Sequence, residues 1–270
     1  MPEFRNQVVG LIRFSYAAEG DFYPGFDNIT DMEAFLFNKQ RLKRRFALFE
    51  KYTLPALRRQ TDPDFTCIFL VGLRMPDDYL DRLRTLVADL PCARLVVAPP
   101  APHYSAIKKA FATLATDSGI THLTTFRLDD DDAFDDTHIA RLKSTALRLS
   151  TAVDMTRPLA LAFNLGIYVE IAEDLIQIFD AAERTPLSVG AALVAPKGFA
   201  DNIYFCNHRA LPQFFNTYSN AADHVFLRTI HRDNKSKPHF SGHQGKLSEP
   251  QLRAVLREKF GHDYDDLQRL

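Results

Sequence analysis

Through the first half of the chain, short apolar runs alternate with stretches whose apolar positions recur every three or four residues. Gln7–Phe14, Phe65–Val71, Ala93–Ala98 and Thr121–Leu128 read as four strands, each closed by a polar, Gly or Pro residue. Between them, Met32–Tyr52 has a helical, mixed-charge pattern, and Pro55 opens a further turn or helix before Gln60. After Pro76, apolar residues at Tyr79, Leu80, Leu83, Leu86, Val87 and Leu90 define one helix face, and Tyr104, Ile107, Ala110, Phe111 and Leu114 define another. A further helix, capped by Asp135, Asp136 or Thr137, has Ile139, Leu142, Ala146 and Leu149 on its inner face. Strand–helix alternation of this kind predicts an α/β fold: a Rossmann-type, mostly parallel central sheet flanked by helices.

The second half is less regular. Leu159–Phe163, Gly166–Glu170 and Gly190–Ala195 read as strands separated by polar turns, so this part is expected to be mixed α+β. No Pro/Ser-rich linker and no internal repeat interrupts the chain. The expectation is therefore a single domain over 1–270, with a frayed polar region from about His231.

Composition narrows the function classes. Of 270 residues, 46% are hydrophobic and 25% charged, which is a globular composition. Thirty-three basic against 34 acidic residues leave a net charge of -1, which argues against a nucleic-acid partner bound through a basic field. Leu159–Val169, broken by Asn164, is too short to span a bilayer, and the start of the chain lacks a signal-peptide pattern, so a cytoplasmic protein is expected, with peripheral contact at the inner membrane surface as an option. Cys67, Cys92 and Cys206 are too few and too scattered for a disulfide framework or a Cys-x-x-Cys metal site, and read as packed thiols. The chain has 22 Phe and 9 Tyr but no Trp, so stacking on any ligand ring falls to Phe or Tyr; Phe14, Tyr16, Phe134 and Phe226 are the candidates.

The informative tract is Arg127-Leu128-Asp129-Asp130-Asp131-Asp132-Ala133 at the carboxyl end of a predicted strand, the edge at which open α/β sheets bind ligands. Four adjacent carboxylates repel one another and need hydration, protonation or a cation; Mg²⁺ or Mn²⁺ bound by one or two of them and completed by phosphates meets that need. In an extended loop Asp129 and Asp131 point the same way, with Asp130 and Asp132 directed elsewhere and Asp132 able to contact backbone. An EF-hand starting at Asp129 is excluded by Ala133, Phe134 and Ala140, and a phosphoaspartate phosphatase by the mid-chain position and Ala133. There is no Gly-x-Gly-x-x-Gly, P-loop or Gly-x-Ser-x-Gly elbow.

The tract Phe126–Ala133, with Arg41-Leu42, Arg45, Phe49-Glu50, Thr53-Leu54-Pro55, Gln60-Thr61 and Phe65 upstream, resembles the bacterial rhamnosyltransferase family, whose members are similar to GT-A glycosyltransferases with an Asp-x-Asp motif. The resemblance implies a GT-A-like fold with a nucleotide-sugar-binding half at 1–135 and an acceptor-binding half at 136–270, a nucleotide-sugar donor (dTDP-, UDP- or GDP-linked), a divalent metal and an acceptor that is a glycan or lipid-linked, as in polysaccharide biosynthesis. Carried over, Asp131 is the main metal ligand and Asp129 contacts the ribose or the metal. Arg13, Phe14 and Ser15 lie beside the base or ribose, with Arg127 also in the donor site. His231, with Asn234 and Ser236, resembles a downstream element that supplies a metal ligand or diphosphate contact. At Phe226-Leu227-Arg228 the family pattern would have Trp first. An inverting transferase also needs a base for the acceptor hydroxyl, for which Asp223 and Asp201 are candidates.

Two other readings stay open: a metal-dependent nucleotidyltransferase or phosphohydrolase using the same carboxylates, and a non-catalytic α/β binding module. The basic run Arg41, Lys43, Arg44 and Arg45 reads as a solvated helix face or a phosphate or anionic-membrane contact, and Pro238 and Gly242 argue against a zinc pair at His239 and His243.

Overall fold

The computed structural model describes residues 3–20, 25–172, 175–234 and 241–269. Four strands, β1 (Asn6–Phe14), β2 (Thr66–Gly72), β3 (Ala93–Ala98) and β4 (His122–Asp129), pair in parallel in the spatial order β3-β2-β1-β4. The connecting helices are α1 (Ile29–Leu36), α2 (Lys39–Leu48), α3 (Leu54–Arg58), α4 (Asp77–Val87) and α5 (His103–Ala112), followed by α6 (His138–Leu149) after the acid tract. β1 shows why this half is legible. Val8, Val9, Leu11 and Ile12 are all essentially inaccessible, the near-continuous apolar run of a strand covered on both faces. Its alternation divides two cores: Val8, Ile12 and Phe14 pack with the α2 and α6 side, while Val9 and Leu11 meet Ile107, Leu193 and Tyr204.

The second half extends the same sheet. β5 (Leu159–Ile171), β6 (Ile176–Ala182) and β7 (Ala192–Pro196) join it with β7 antiparallel between β4 and β5, and β8 (Asn216–Ile230) runs parallel to β5. The α/β expectation is met: a parallel first half and a mixed second one.

Three local differences have physical causes. The single helix expected over Met32–Tyr52 is broken because the Asn38 side chain accepts hydrogen bonds from the Gln40 and Arg41 amides and caps α2 anew. α2 then passes through a π-helical turn, Phe49–Thr53, into α3. The two strands expected at 159–163 and 166–170 are one thirteen-residue strand, β5, because Gly166 lets the Phe226 backbone of β8 approach: a Cβ there would stand 2.4 Å from the Phe226 carbonyl oxygen. The region after His231 is not frayed where it is described. Glu249–Val255 forms α7, the Gln251 side chain accepts from the Ser248 amide at 2.9 Å, and Leu252, Leu256, Phe260 and Leu267 bury a stripe in one cluster with Tyr52. Ser236 and His239 lie outside the described residues. Among the described residues, no helix is long and apolar enough to cross a membrane.

His138, expected only as part of a helix, is wholly buried, stacked on Phe134 at 4.4 Å between ring centres. Burial, reinforced by the Arg141 charge, pushes its pKa down to about 3. The folded state therefore excludes a proton that the unfolded chain takes up below about pH 6.5, and stability falls as the pH drops from there toward 3. From pH 7 to pH 5 this residue is expected to remove about 2 kcal/mol. Urea titrations at both pH values check this: the drop should shrink by that amount in His138→Phe, and an equal drop in both proteins would refute it.

Candidate functional site

The acid tract leaves the carboxyl end of β4 beside the end of β1. The register pairs Arg13 with Asp129, and the Arg13 guanidinium donates to Asp129 Oδ1 at 2.8 Å. The chain then turns at once, with the Asp132 amide donating to the Asp129 carbonyl at 3.3 Å. Strand alternation stops there, which corrects the expectation for Asp130: both Asp130 and Asp131 face Arg45 of α2. Arg45 pairs with Asp130 and donates to Asp131 Oδ2 at 2.8 Å. Asp132 does take a backbone contact, accepting from the Thr229 amide at 2.9 Å. Thr229 Oγ1 donates to the Asp131 carbonyl, and Thr53 Oγ1, in the π-helical turn, donates to that of Asp132. Elements distant in sequence thus hold the turn rigid, and rigid support is what a precise site requires.

His231 follows β8 and reaches back to the tract, its Nε2 2.8 Å from Asp131 Oδ2. Its Nδ1 lies 3.2 Å from the Asp233 amide, which fixes the orientation of the ring. Asn234 donates to the same Asp131 oxygen at 3.2 Å and accepts from the His231 amide at 2.6 Å. Burial alone would raise the Asp131 carboxyl, but Arg45 and His231 outweigh it and hold the group well below the usual carboxylate range. At Asp129 burial is likewise overcome, by Arg13 and Arg127. Asp132 goes the other way: burial and the neighbouring Asp131 charge push it well above the ordinary value despite Arg228.

The four aspartates of the tract, with Asp233 and Asn234, line a cavity of about 770 Å³. Arg13, Arg41, Arg45, Arg127 and Arg228 all reach it, beside the carboxylates of the tract and those of Glu19 and Asp233. Planar guanidinium groups suit phosphate oxygens, which they bind in pairs of hydrogen bonds. Arg127 lies over the Tyr204 ring at 4.7 Å, and Arg13 also contacts His103 Nε2 at 3.0 Å. Burial, with Arg127 and Arg228 nearby, pushes His208 in the same wall down to about 3. Ser15 takes φ +50, the sole non-glycine residue in the left-handed region among those described, and accepts from Arg41 at 3.1 Å.

The residues also fit a divalent ion. Asp131 and Asp129 line the cavity, an oxygen of Asp131 stands 2.8 Å from His231 Nε2, and Mg²⁺ or Mn²⁺ needs only one or two protein ligands when phosphates and water complete its shell. Among the described residues no three acidic, His or Cys side chains converge as a ready-made cage, so such an ion would be completed by substrate.

Several expected residues lie elsewhere. Phe14 is in the core against Phe46 and Phe49, and its ring cannot meet a base. Tyr16, Phe134 and Phe226 are equally buried, Phe226 edge-on to Tyr168, so the residue type at 226 is a matter of core packing. The aromatic faces that do line the cavity are Tyr104, Tyr204 and Phe205. Asp201 stands behind Tyr104, accepting from its hydroxyl at 3.0 Å, and Asp223 is held by Arg141 at 2.8 Å; neither lines the cavity. Cys67 and Cys92 are buried thiols, whereas Cys206 is half-buried in the cavity wall. The sequence reading missed Arg228, His208 and Tyr204 as lining residues. For Arg45 a signal existed, since Arg41 and Arg45 are four apart and share one face of α2.

Residues 7–243 match the family described as "Putative rhamnosyl transferase". The chain belongs to this rhamnosyltransferase family. It is also similar to the solved structures of S. aureus TarS 1-349 with UDP-GlcNAc (11% identity, 93% of this chain and 64% of that one, TM-score 0.47) and with UDP (10% identity, 83% and 60%, TM-score 0.42). The chain therefore spans less than two-thirds of the length of those structures. None of the curated proteins compared with it matches. In this rhamnosyltransferase family member the GT-A-like α/β arrangement implied by the resemblance is present: parallel strands β3-β2-β1-β4, the antiparallel β7 next to β4, and the acid tract at the carboxyl edge.

Proposed function

We propose that the chain is a metal-dependent glycosyltransferase, moving a sugar from a nucleoside-diphosphate donor to a hydroxyl of a glycan or lipid-linked acceptor, with rhamnose the sugar suggested by the family. The observation that supports it most is the meeting, in one cavity, of Asp131, which His231 touches at 2.8 Å, with Arg13, Arg127 and Arg228. In this reading Asp131 and His231 hold Mn²⁺ or Mg²⁺, which when bound offsets the charge of the departing diphosphate as a Lewis acid. Arg127 and Arg228 share that charge, fixed in place before the reaction starts. Asp129, oriented by Arg13, faces the ribose, and Tyr204 or Phe205 offers a face to the base or sugar. The donor cavity draws on residues before and after 135, so both halves would build it.

Outside the acid tract, the carboxylates lining this cavity are Glu19 and Asp233. Arg44 grips Asp233 at 2.7 and 3.0 Å. Asp233 also lines the neighbouring groove, so it stands where an acceptor could enter, and we assign it the base role in place of Asp201 and Asp223.

A panel of dTDP-, UDP- and GDP-sugars with Mn²⁺ tests the assignment. Release of nucleoside diphosphate with an intact sugar supports it; release of monophosphate indicates attack at phosphorus, and no turnover with no Mn²⁺-dependent nucleotide binding indicates a silent module. Asp233→Asn is expected to lower kcat by about 100-fold, the usual scale of general-base loss, with nucleotide affinity unchanged. Wild-type turnover in that variant would remove Asp233 from the mechanism.

A further inference from the structure

α2 separates two cavities of opposite character. Its Arg41 and Arg45 enter the donor cavity, while Gln40, Lys43, Arg44, Ala47 and Leu48, spaced as one helical face, line a second groove of about 980 Å³. The opposite wall comes from the adjacent ends of β5 and β8: Glu170, Ile171, Ala172, Ile230 and the residues His231–Asp233. Asp233 lines both cavities, and His231 in the groove wall reaches Asp131 of the donor cavity at 2.8 Å, so the groove opens onto the place where the donor sugar would lie.

The floor of the groove is aliphatic: Ala47, Leu48, Ile171, Ala172 and Ile230. Among the described residues, no Phe, Tyr, Ser or Thr side chain lines the groove. A bare saccharide would find little there to stack on or hydrogen-bond to, whereas a hydrocarbon chain gains by leaving water. Among the described residues, Lys43, Arg44 and Arg232 stand at the rim against Glu170 and Asp233, a surplus of one positive charge, and Arg44 is engaged by Asp233.

We propose that this groove is the acceptor subsite and that the acceptor is lipid-linked: a hydrocarbon chain on the aliphatic floor, its phosphate at the Lys43 rim, and the sugar hydroxyl delivered past Asp233. This rests on the donor-site reading for its role, though not for its binding chemistry. It also explains the basic run of α2, which supplies two guanidinium groups to one cavity and the cationic rim to the other.

Monomeric dodecyl phosphate is the probe, followed by calorimetry on the full chain, with dodecanol and inorganic phosphate as the two half-ligands. Dodecyl phosphate should bind, and inorganic phosphate should not bind at the same concentration. Ala47→Trp, which fills the groove from an exposed position, should weaken dodecyl phosphate at least tenfold. Lys43→Glu, an exposed charge reversal that leaves the core untouched, should weaken it at least threefold and leave dodecanol unaffected. Affinity for nucleoside diphosphates should be unchanged in both variants. Equal binding of inorganic phosphate, or dodecyl phosphate affinity insensitive to both substitutions, overturns the proposal. If no nucleotide binds to the wild-type chain while the dodecyl phosphate results hold, the donor reading fails and the lipid-phosphate groove stands.

Discussion

Asp131→Ala is expected to eliminate divalent-ion-dependent binding of nucleoside diphosphates while leaving the fold intact. Supporting residues around a metal already cost 10 to 100-fold in affinity when removed, so loss of the ligand itself should reach at least about 100-fold. Tolerance by the fold follows from the surroundings. Arg45 keeps Asp130 as a partner, the Thr229 and Thr53 hydroxyls still tie down the backbone of the tract, and His231 remains held through Nδ1 and its amide. The cavity also becomes more positive, so ion-independent nucleotide binding should persist or tighten. Calorimetry with Mn²⁺ and again with a chelator separates the two effects. Unchanged Mn²⁺-dependent affinity in the variant would remove Asp131 from the donor site.

Gly10→Ala should be among the most destabilising single methyl additions in the sheet. Gly10 of β1 pairs with Phe126 of β4, and a Cβ at position 10 would stand 2.0 Å from the Phe126 ring. The ring has nowhere to go: it is fully buried, with Phe65 at 6.2 Å, Phe134 at 5.8 Å and His138 at 6.4 Å between centres. Overpacking of this kind costs about 3 kcal/mol. For a domain of this size that corresponds to a fall in Tm of roughly 6 to 12 °C. Because β4 leads directly into the acid tract, nucleotide binding should weaken as well. Trimming the ring in Gly10→Ala/Phe126→Leu should recover part of the loss, since the two residues are in contact and their effects are coupled. A single variant as stable as the wild type in thermal and urea unfolding would show that the β1–β4 interface is looser than the geometry implies.

Legibility along the chain tracks how local the governing forces are. β1 to β4 are plain in sequence because central parallel strands are buried on both faces and must be continuously apolar. β8 is not: its first half, Asn216–His224, is polar and largely exposed, and its register against β5 shifts at Asn220, His224 and Phe226, so no alternation survives to be read. The packed segment that begins with α7 escaped because only four buried side chains, Leu252, Leu256, Phe260 and Leu267, in a mostly polar stretch carry its packing. Within the site, the acid tract stood out at once, but which aspartate faces what did not. That depends on a turn immediately after Asp129 and on Arg45, more than eighty residues upstream, which draws Asp130 and Asp131 to the same guanidinium.

By itself the sequence determined the α/β class, the parallel first half, the acid tract at a strand's carboxyl edge and the family to which the chain belongs, because periodicity and motif are written in neighbouring residues. Only the tertiary structure decided the pairing of Asp131 with His231 across one hundred residues, the burial of Phe14 and Phe226 away from any ligand, the placement of Asp201 and Asp223 outside the cavity, and the division of α2 between two cavities. Those features arise where strands and helices far apart in the chain close upon one another, and no local pattern encodes that closure.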